Sequence, residues 1–187
     1  MPDQPDYHHA LLVIDVQQGF DDPAWGRRNN PDAEANIARL VDLWRSSGAP
    51  VVVVRHDSTT PGSPLRNGQP GNDLRSGIAG DVLITKNVNS AFYGEPDLHA
   101  WLTEHGVKRV TICGVTTNHC CETTARMAGN LGYDVTFVID ATHTFDRVGP
   151  DGVTVTADDL ARATAASLHG EFATVVTTRD LVLTSGA

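Results

Sequence analysis

Residues 10–16 read ALLVIDV, an apolar run that is interrupted only by the carboxylate of Asp15. A strand of a parallel sheet is covered on both faces, so its side chains are nearly all apolar instead of alternating. Similar or weaker runs recur along the chain and alternate with helical patterns, which is typical of βαβ units. The predicted strands are residues 10–16, 50–55, 81–85, 107–113, 134–139 and 173–177.

Helical patterns occupy the connections between these strands. They cover residues 32–47, 97–105, 118–131 and 157–169. The first of them places Ile37, Leu40 and Trp44 at helical spacing and stops at Gly48, a common C-terminal signal. We therefore predict an α/β fold of three layers, α/β/α, around a doubly wound, six-stranded and mainly parallel sheet.

Length and composition restrict the class of protein. The 187 residues suffice for one ordinary domain, so we predict a single domain over residues 1–187. The 23 acidic residues against 14 Lys and Arg give a net charge of -9, which repels phosphate backbones and anionic lipids. We expect no nucleic-acid partner and no membrane partner. Residues 1–9 do not resemble a secretory signal, and three cysteines do not make a disulfide framework, so a cytoplasmic location is expected.

The longest predicted connection is the segment 56–80, which is rich in Gly, Pro, Ser and Asn and has no periodicity. Loops of this length in a compact domain are usually lids, binding loops or subunit contacts. It leaves from the end of the second predicted strand, which is the edge where ligands bind in such sheets. We therefore expect it to close over a site or to contact another subunit.

Three reactive side chains follow three different predicted strands. Asp15 ends the first strand, Lys86 follows the third, and Cys120 follows the fourth. Ligands bind outside the carboxyl ends of parallel strands, at the point where the strand order reverses. If the first and fourth strands are neighbours there, Asp15 and Cys120 lie about one strand spacing apart, roughly 5 Å. Cys120 also begins a predicted helix, whose positive dipole end favours a thiolate and lowers the thiol pKa.

These three residue types suit nucleophilic catalysis. A cysteine attacks as the thiolate, so it needs a base such as Asp15 and a cation such as Lys86. Backbone N–H groups at Cys120 and in the preceding turn are candidate oxyanion donors. The predicted reaction is acyl transfer to water through a thioester. Candidate substrate-binding residues are Phe20, Trp25, Phe92, Tyr93, Gln17 and His119.

Structural interpretations compete with each of these assignments. A lone cysteine near a strand end is usually a small core residue, and most lysines are surface groups. Consecutive His119, Cys120 and Cys121 do not provide the ligand spacing of a zinc hydrolase, so no metal or other cofactor is predicted. A non-enzymatic binding module with an unreactive Cys120 stays open. Core packing or a polar wall is predicted for Cys113, Cys121, His56, His119 and His143.

Taken together, these segments resemble the isochorismatase-like cysteine hydrolase superfamily over residues 11–178. That superfamily includes nicotinamidases, N-carbamoylsarcosine amidase, ureidoacrylate amidohydrolase and streptothricin hydrolase. Three motifs carry the resemblance in order along the chain. They are Asp15, Gln17 and Phe20; then Lys86, Ser90, Ala91 and Phe92; then Gly114-Val115-Thr116-Thr117 with Cys120, Thr124, Ala125, Ala128 and Gly132-Tyr133.

The resemblance implies roles for particular residues. It implies a catalytic triad of Asp15, Lys86 and Cys120. It also implies a non-proline cis peptide bond between Val115 and Thr116, which would turn the Thr116 N–H toward the oxyanion beside that of Cys120. It further implies a homodimer or a homotetramer.

Two departures from the family's patterns bear on the activity. Nicotinamidases of the family carry an Asp-x-His metal motif after the second strand, whereas this chain has Arg55-His56-Asp57-Ser58 and lacks that spacing. No metal is expected, although His56 and Asp57 keep that question open. Isochorismatases proper cleave a vinyl ether and typically lack the cysteine, so Cys120 favours cleavage of a C–N bond in a small amide, carbamoyl or lactam substrate.

The substrate is not determined by these residues. The segments 55–65 and 165–175 resemble those of streptothricin-hydrolase-type proteins more than those of nicotinamidases. An isochorismatase-type or a nicotinamidase-type hydrolase is the alternative.

Overall fold

The computed structural model describes residues 8–184, and its centre is a parallel sheet. The strands are β1 (His9–Ile14), β2 (Val51–His56), β3 (Val82–Lys86), β4 (Arg109–Val115), β5 (Asp134–His143), β6 (Arg147–Val148), β7 (Thr154–Val155) and β8 (Thr174–Val176). Six of them form one sheet in the order β3-β2-β1-β4-β5-β8. Every pairing in that sheet is parallel. The predicted doubly wound, six-stranded sheet is confirmed.

Helices cover both faces of this sheet. They are α1 (Ala33–Ser47), α2 (Leu98–Glu104), α3 (Glu122–Asn130), α4 (Ala157–Leu168) and α5 (Thr178–Thr184). Helices α1 and α5 pack on one face, and α2, α3 and α4 pack on the other. The three layers follow from this arrangement. Among residues 8–184, none of the helices has the length and apolar character that crossing a membrane requires.

Strand β1 shows why its sequence is apolar at nearly every position. Successive side chains of a strand point to opposite faces. Leu11 and Val13 pack against α1, whereas Leu12 and Ile14 pack into the cluster that includes α2, α3 and α4. All four are fully buried. Burial on both faces therefore explains the run that predicted this strand.

The chain reverses its direction of winding between β1 and β4. After β1 it proceeds outward through β2 and β3, and then returns so that β4 pairs with the other edge of β1. The carboxyl ends of these two strands are adjacent, with Ile14 opposite Gly114. The switch point predicted for the site is therefore present.

Some elements differ from the sequence prediction. Strand β5 continues to His143 rather than ending at residue 139. It is followed by a hairpin of β6 and β7, whose strands are two residues long each. Helix α5 was not predicted. These additions are short or polar, so their apolar periodicity is too weak to recognise in a sequence. The predicted helix 118–131 begins as the π-helical turn Thr117–Cys121, and α3 continues it.

Candidate active site

Asp15 and Lys86 form a fully buried ion pair at the carboxyl edge of the sheet. Lys86 Nζ lies 2.6 Å from Asp15 Oδ2, and neither side chain is exposed. Asp15 follows β1 with a φ of 51°, in the left-handed region that non-glycine residues rarely adopt. Such conformations cluster at functional sites. The turn and the end of β3 together bring the carboxylate and the ammonium into contact.

Cys120 lies in the π-helical turn after β4 and faces this ion pair. Its Sγ, a carboxylate oxygen of Asp15 and a ring nitrogen of His56 all lie within 4.8 Å of one another. Asp15 Oδ1 is buried and has no hydrogen-bond partner among residues 8–184. One carboxylate oxygen is thus held by Lys86, while the other has no partner and can accept a proton.

The protonation states follow from burial. Burial raises the pKa of the Cys120 thiol, Asp15 raises it further, and Lys86 opposes both. The expectation that the helix start lowers the pKa of this thiol is wrong, because desolvation of a nearly buried sulfur outweighs a helix dipole. Burial lowers the pKa of Lys86, but Asp15 and Cys120 raise it to a net value above normal. The resting site therefore holds a neutral thiol and an ammonium.

His56 is the contact that the sequence analysis missed. It ends β2 directly opposite Lys86 in the parallel pairing, and its Nδ1 lies 3.2 Å from Lys86 Nζ. Burial lowers the pKa of His56, and the ammonium of Lys86 lowers it further. The imidazole is therefore neutral, and its Nδ1 accepts a hydrogen bond from the ammonium.

This contact also bears on metal binding. Asp15, His56 and Cys120 are close enough together to serve as ligands. However, the Lys86 ammonium touches two of the three, and a second cation among them would be repelled. Asp57 is turned away, because Arg55 and Asn72 hold its carboxylate at 2.8 Å and 2.9 Å. The donor set therefore does not favour a metal.

The turn between β4 and Cys120 contains the implied cis peptide. The bond between Val115 and Thr116 is cis, as the resemblance implied. Thr116 is buried and lines the same cavity as Cys120. Asn89 was not predicted; its Oδ1 lies 3.7 Å from Cys120 Sγ.

A cavity of about 130 Å³ lies directly over these groups. Three of the predicted substrate-binding residues line it, namely Phe20, Trp25 and His119. Burial lowers the pKa of His119, and Arg147 lowers it further, so this imidazole is neutral. The remaining wall residues are Asp15, His56, Leu65, Asn89, Thr116 and Cys120.

The other three predicted substrate-binding residues lie elsewhere. Gln17 is fully buried, and its Nε2 donates to the carbonyls of His56 and Asn72. Its Oε1 accepts from the His56 N–H, so the side chain anchors the loop after β2. Phe92 belongs to the core cluster and stacks on Tyr133. Tyr93 is 70% exposed and does not line the cavity. Aromatic and amide side chains near a strand end do not reveal in sequence which way they point.

The remaining cysteines and histidines have structural surroundings. Cys113 and Cys121 are fully buried, as predicted, and burial raises the pKa of both thiols. His143 is fully buried beside Glu34, on the α1 side of the sheet. It takes no part in the cavity over Cys120.

The fold and the cluster at its switch point define an isochorismatase-like α/β protein. The family model of the isochorismatase domain matches residues 9–180. The chain therefore belongs to the isochorismatase family, whose members are hydrolases.

Known relatives share most of the chain. The isochorismatase-family protein YrdC of Bacillus subtilis (strain 168) is 40% identical, with 92% of this chain and 94% of YrdC covered. An isochorismatase-family structure from Chromobacterium violaceum has a TM-score of 0.90 at 38% identity, covering 100% of this chain and 99% of its own.

Two relatives carry names that state an activity. Nicotinamidase 3 of Arabidopsis thaliana is 33% identical, with 89% of this chain and 83% of the relative covered. Streptothricin hydrolase of Streptomyces noursei is 32% identical, with 87% of this chain and 66% of the relative covered. Their nearly equal identities do not rank one activity above the other for this chain.

Proposed function

We propose that this protein is a cysteine-dependent amidohydrolase that cleaves a C–N bond of a small molecule through a thioester. Asp15 is the general base and acid, Lys86 is the cation that holds the charged pair, and Cys120 is the nucleophile. The backbone N–H groups of Thr116 and Cys120 receive the oxyanion. One observation carries the proposal: a thiol that burial keeps protonated has its Sγ within 4.8 Å of the carboxylate of Asp15, which is buried and ion-paired with Lys86.

The proposed reaction proceeds in two halves. Asp15 takes the thiol proton as Cys120 Sγ attacks the carbonyl carbon, because the raised thiol pKa leaves little thiolate at rest. The C–N bond then breaks, and Asp15 returns the proton to the leaving nitrogen. In the second half Asp15 deprotonates a water molecule, which attacks the thioester and regenerates the thiol. The net products are a carboxylic acid and an amine or ammonia.

Lys86 has two tasks in this scheme. Its ammonium holds Asp15 Oδ2 at 2.6 Å, which leaves Oδ1 without a partner and keeps the carboxylate close to Cys120. It also stabilises the thiolate as the charge develops, since the pKa of the Cys120 thiol is lowered by Lys86. A lysine that is itself fully buried and paired in this way is suited to a reacting site rather than to a surface.

Two relatives indicate substrate classes within this proposal, and two other functions compete with it. The similarity to Nicotinamidase 3 favours nicotinamide-like substrates, and the similarity to streptothricin hydrolase favours streptothricin-like ones; the proposal assigns the same groups to both. An isochorismatase-type vinyl ether cleavage has no evident need for a cysteine beside Asp15. A binding module on the same scaffold has no need for a buried carboxylate, ammonium and thiol in one cluster.

Replacing Cys120 tests the proposal. A panel of small primary amides, N-substituted amides, ureas and lactams is assayed for release of ammonia or amine. We expect Cys120→Ala to lower kcat for every turned-over compound by about 10⁴-fold or more, the usual effect of removing a nucleophile. With Asp15→Asn, mass spectrometry of the intact protein is expected to show no acyl adduct.

The matched control removes the neighbouring thiol instead. Cys121→Ala deletes a sulfur that is fully buried in the core, and we expect it to keep turnover within a few-fold wherever circular dichroism shows a folded protein. An unchanged rate in folded Cys120→Ala would disprove the proposal.

A further inference from the structure

A second, larger cavity lies beside the cavity over Cys120. The second cavity has a volume of about 460 Å³ and lies between the segment 22–25 and the loop 56–65. Trp25, His56 and Leu65 line both cavities. The two cavities are therefore adjacent at these three side chains, and we call the larger one the outer chamber.

The side chains at the junction are held in place. The Trp25 indole N–H donates to the Gly19 carbonyl at 2.8 Å, and its ring stacks on Phe145. His56 is fixed by Lys86, and Leu65 is buried. The boundary between the two cavities is therefore formed by side chains in fixed positions.

The strand order gives the direction in which a bound substrate extends from the cavity over Cys120. Thr116 and Cys120 follow β4, Asp15 follows β1, and His56 ends β2 on the far side of β1. In the proposed mechanism the carbonyl lies over Cys120, and the leaving nitrogen takes its proton from Asp15. That nitrogen lies on the β1 side of the carbonyl, so a substituent on it extends over β2 toward His56 and the outer chamber.

The lining of the outer chamber indicates the chemistry of that substituent. Ser58, Thr60 and Ser63 supply hydroxyls, Asp22 supplies a carboxylate, and no Lys or Arg is among the described residues that line it. The Ser58 and Ser63 hydroxyls accept from the backbone N–H groups of Thr60 and Leu65. Each keeps its own O–H and a second lone pair for a ligand.

We propose that the outer chamber binds the amine portion of an N-substituted amide, and that this portion is polar and neutral or cationic. The proposal rests on the amidohydrolase function and adds the class of substrate to it. A primary amide, which releases ammonia, leaves the outer chamber unused. A carboxylate on the amine portion would meet Asp22 and no lining cation, so it is disfavoured.

A series with one acyl group tests the proposal. The compounds are acetamide, N-hydroxyethyl acetamide, N-aminoethyl acetamide and N-acetylglycine, and released acetate is measured for all four. We expect kcat/KM for the hydroxyethyl and aminoethyl compounds to exceed that for acetamide by about tenfold, the effect of one or two good hydrogen bonds. N-acetylglycine is expected to fall below both.

Variants that fill the outer chamber test whether this cavity causes the preference for the extended compounds. Thr60→Trp and Ala24→Trp place a bulky ring in it from opposite walls, and both residues are exposed. We expect the preference for the extended compounds over acetamide to disappear in each. The matched control is Thr59→Trp, at an exposed neighbour that does not line the chamber, and it is expected to keep the preference.

A labelling experiment separates this proposal from the amidohydrolase function. Alkylation of Cys120 by iodoacetamide is compared with alkylation by its N-hydroxyethyl and N-aminoethyl derivatives, in the intact protein and in Thr60→Trp. If the derivatives label Cys120 faster than iodoacetamide and Thr60→Trp abolishes this difference, the result supports the outer chamber. If no amide is turned over in the same protein, the amidohydrolase function is refuted while the chamber proposal stands. Turnover or labelling with no preference for the extended compounds would overturn the chamber proposal.

Discussion

At the residue scale, Lys86 determines the geometry of the candidate site. An ammonium has three N–H donors. Lys86 directs two of them to Asp15 Oδ2 at 2.6 Å and to His56 Nδ1 at 3.2 Å, and the Cys120 thiol raises the pKa of the same ammonium. The His56 contact requires an imidazole whose Nδ1 is unprotonated. We therefore expect His56 to act through Lys86 as a positioning residue.

This contact predicts the acid limb of the pH profile. Burial and Lys86 lower the pKa of His56, so the imidazole is neutral at pH 7. It becomes protonated only at a pH below the ordinary histidine pKa of about 6.5. Once protonated, it cannot accept from Lys86 and repels it. We expect kcat/KM to fall as the pH drops through the pKa of His56. In His56→Gln the amide oxygen accepts from Lys86 without titrating, so we expect the acid limb of the profile to move to lower pH.

The other cavity histidine is the control for that measurement. His119 is half-buried over the same cavity, and its neighbours are Arg147 and Glu122 rather than Lys86. His119→Gln is expected to leave the position of the acid limb in place, even where KM changes. A limb that stays in place in His56→Gln would show that His56 does not act through Lys86.

At the element scale, the close approach of β4 to β1 positions the nucleophile turn. A Cβ at Gly114 would lie 2.0 Å from the Ile14 carbonyl oxygen, and the φ of Gly114 is 130°. No side chain fits there. The turn that carries Val115, Thr116 and Cys120 can therefore lie against Asp15 only because residue 114 is glycine.

Gly114→Ala should consequently destabilise the sheet at the site. We expect a loss of about 3 to 5 kcal/mol in the free energy of unfolding, because the backbone of β1 or β4 must move. The measurement is the midpoint of urea unfolding. Gly132→Ala is the matched control, since its φ is 86° but no atom lies within 4 Å of the added Cβ.

Only the cost of the backbone conformation applies at Gly132. We expect that control to lose about 1 kcal/mol. Equal losses in the two variants would show that the contact with Ile14 is not what requires glycine at position 114.

At the scale of the whole molecule, a charged cluster joins four parts of the chain. Glu34 at the start of α1 accepts from Arg28 at 2.7 Å and 2.8 Å, and Arg75 of the long loop lies 3.7 Å away. His143 at the end of β5 lies 3.4 Å from the same carboxylate. Burial would raise the pKa of Glu34, but His143 and Arg28 hold it well below its usual range.

This cluster predicts how stability depends on pH. A carboxylate whose pKa is lowered by folding stabilises the protein above its unfolded pKa, about 4.3 for Glu, and this stabilisation is lost as the pH falls below that value. We expect Glu34→Gln to lower the free energy of unfolding at pH 7 by about 1 to 3 kcal/mol. The difference from the original protein should shrink progressively below pH 4.3.

Urea unfolding at several pH values measures this effect. The control is Glu171→Gln, at an exposed glutamate, for which we expect a change within about 0.5 kcal/mol. A difference for Glu34→Gln that does not change with pH would mean that its ionised carboxylate is not the stabilising group.

The sequence by itself predicted the doubly wound sheet and indicated Asp15, Lys86 and Cys120 as candidate site residues. Doubly buried strands require apolar runs, and a charged residue such as Asp15 at the end of one is costly unless it has a partner, so both features are visible without coordinates. The same local patterns placed Lys86 and Cys120 at strand ends. The motif resemblance implied the cis bond before Thr116, which the structure contains.

Tertiary structure alone decided which side chains meet. His56 touches Lys86 because β2 and β3 pair in a register that no local pattern encodes, and Gln17 turns toward the backbone of the loop instead of the cavity. The pKa of Cys120 depends on burial, which several elements create together, so the helix start alone gave the wrong direction. Local periodicity fixes elements, whereas contacts and desolvation depend on how distant parts of the chain pack.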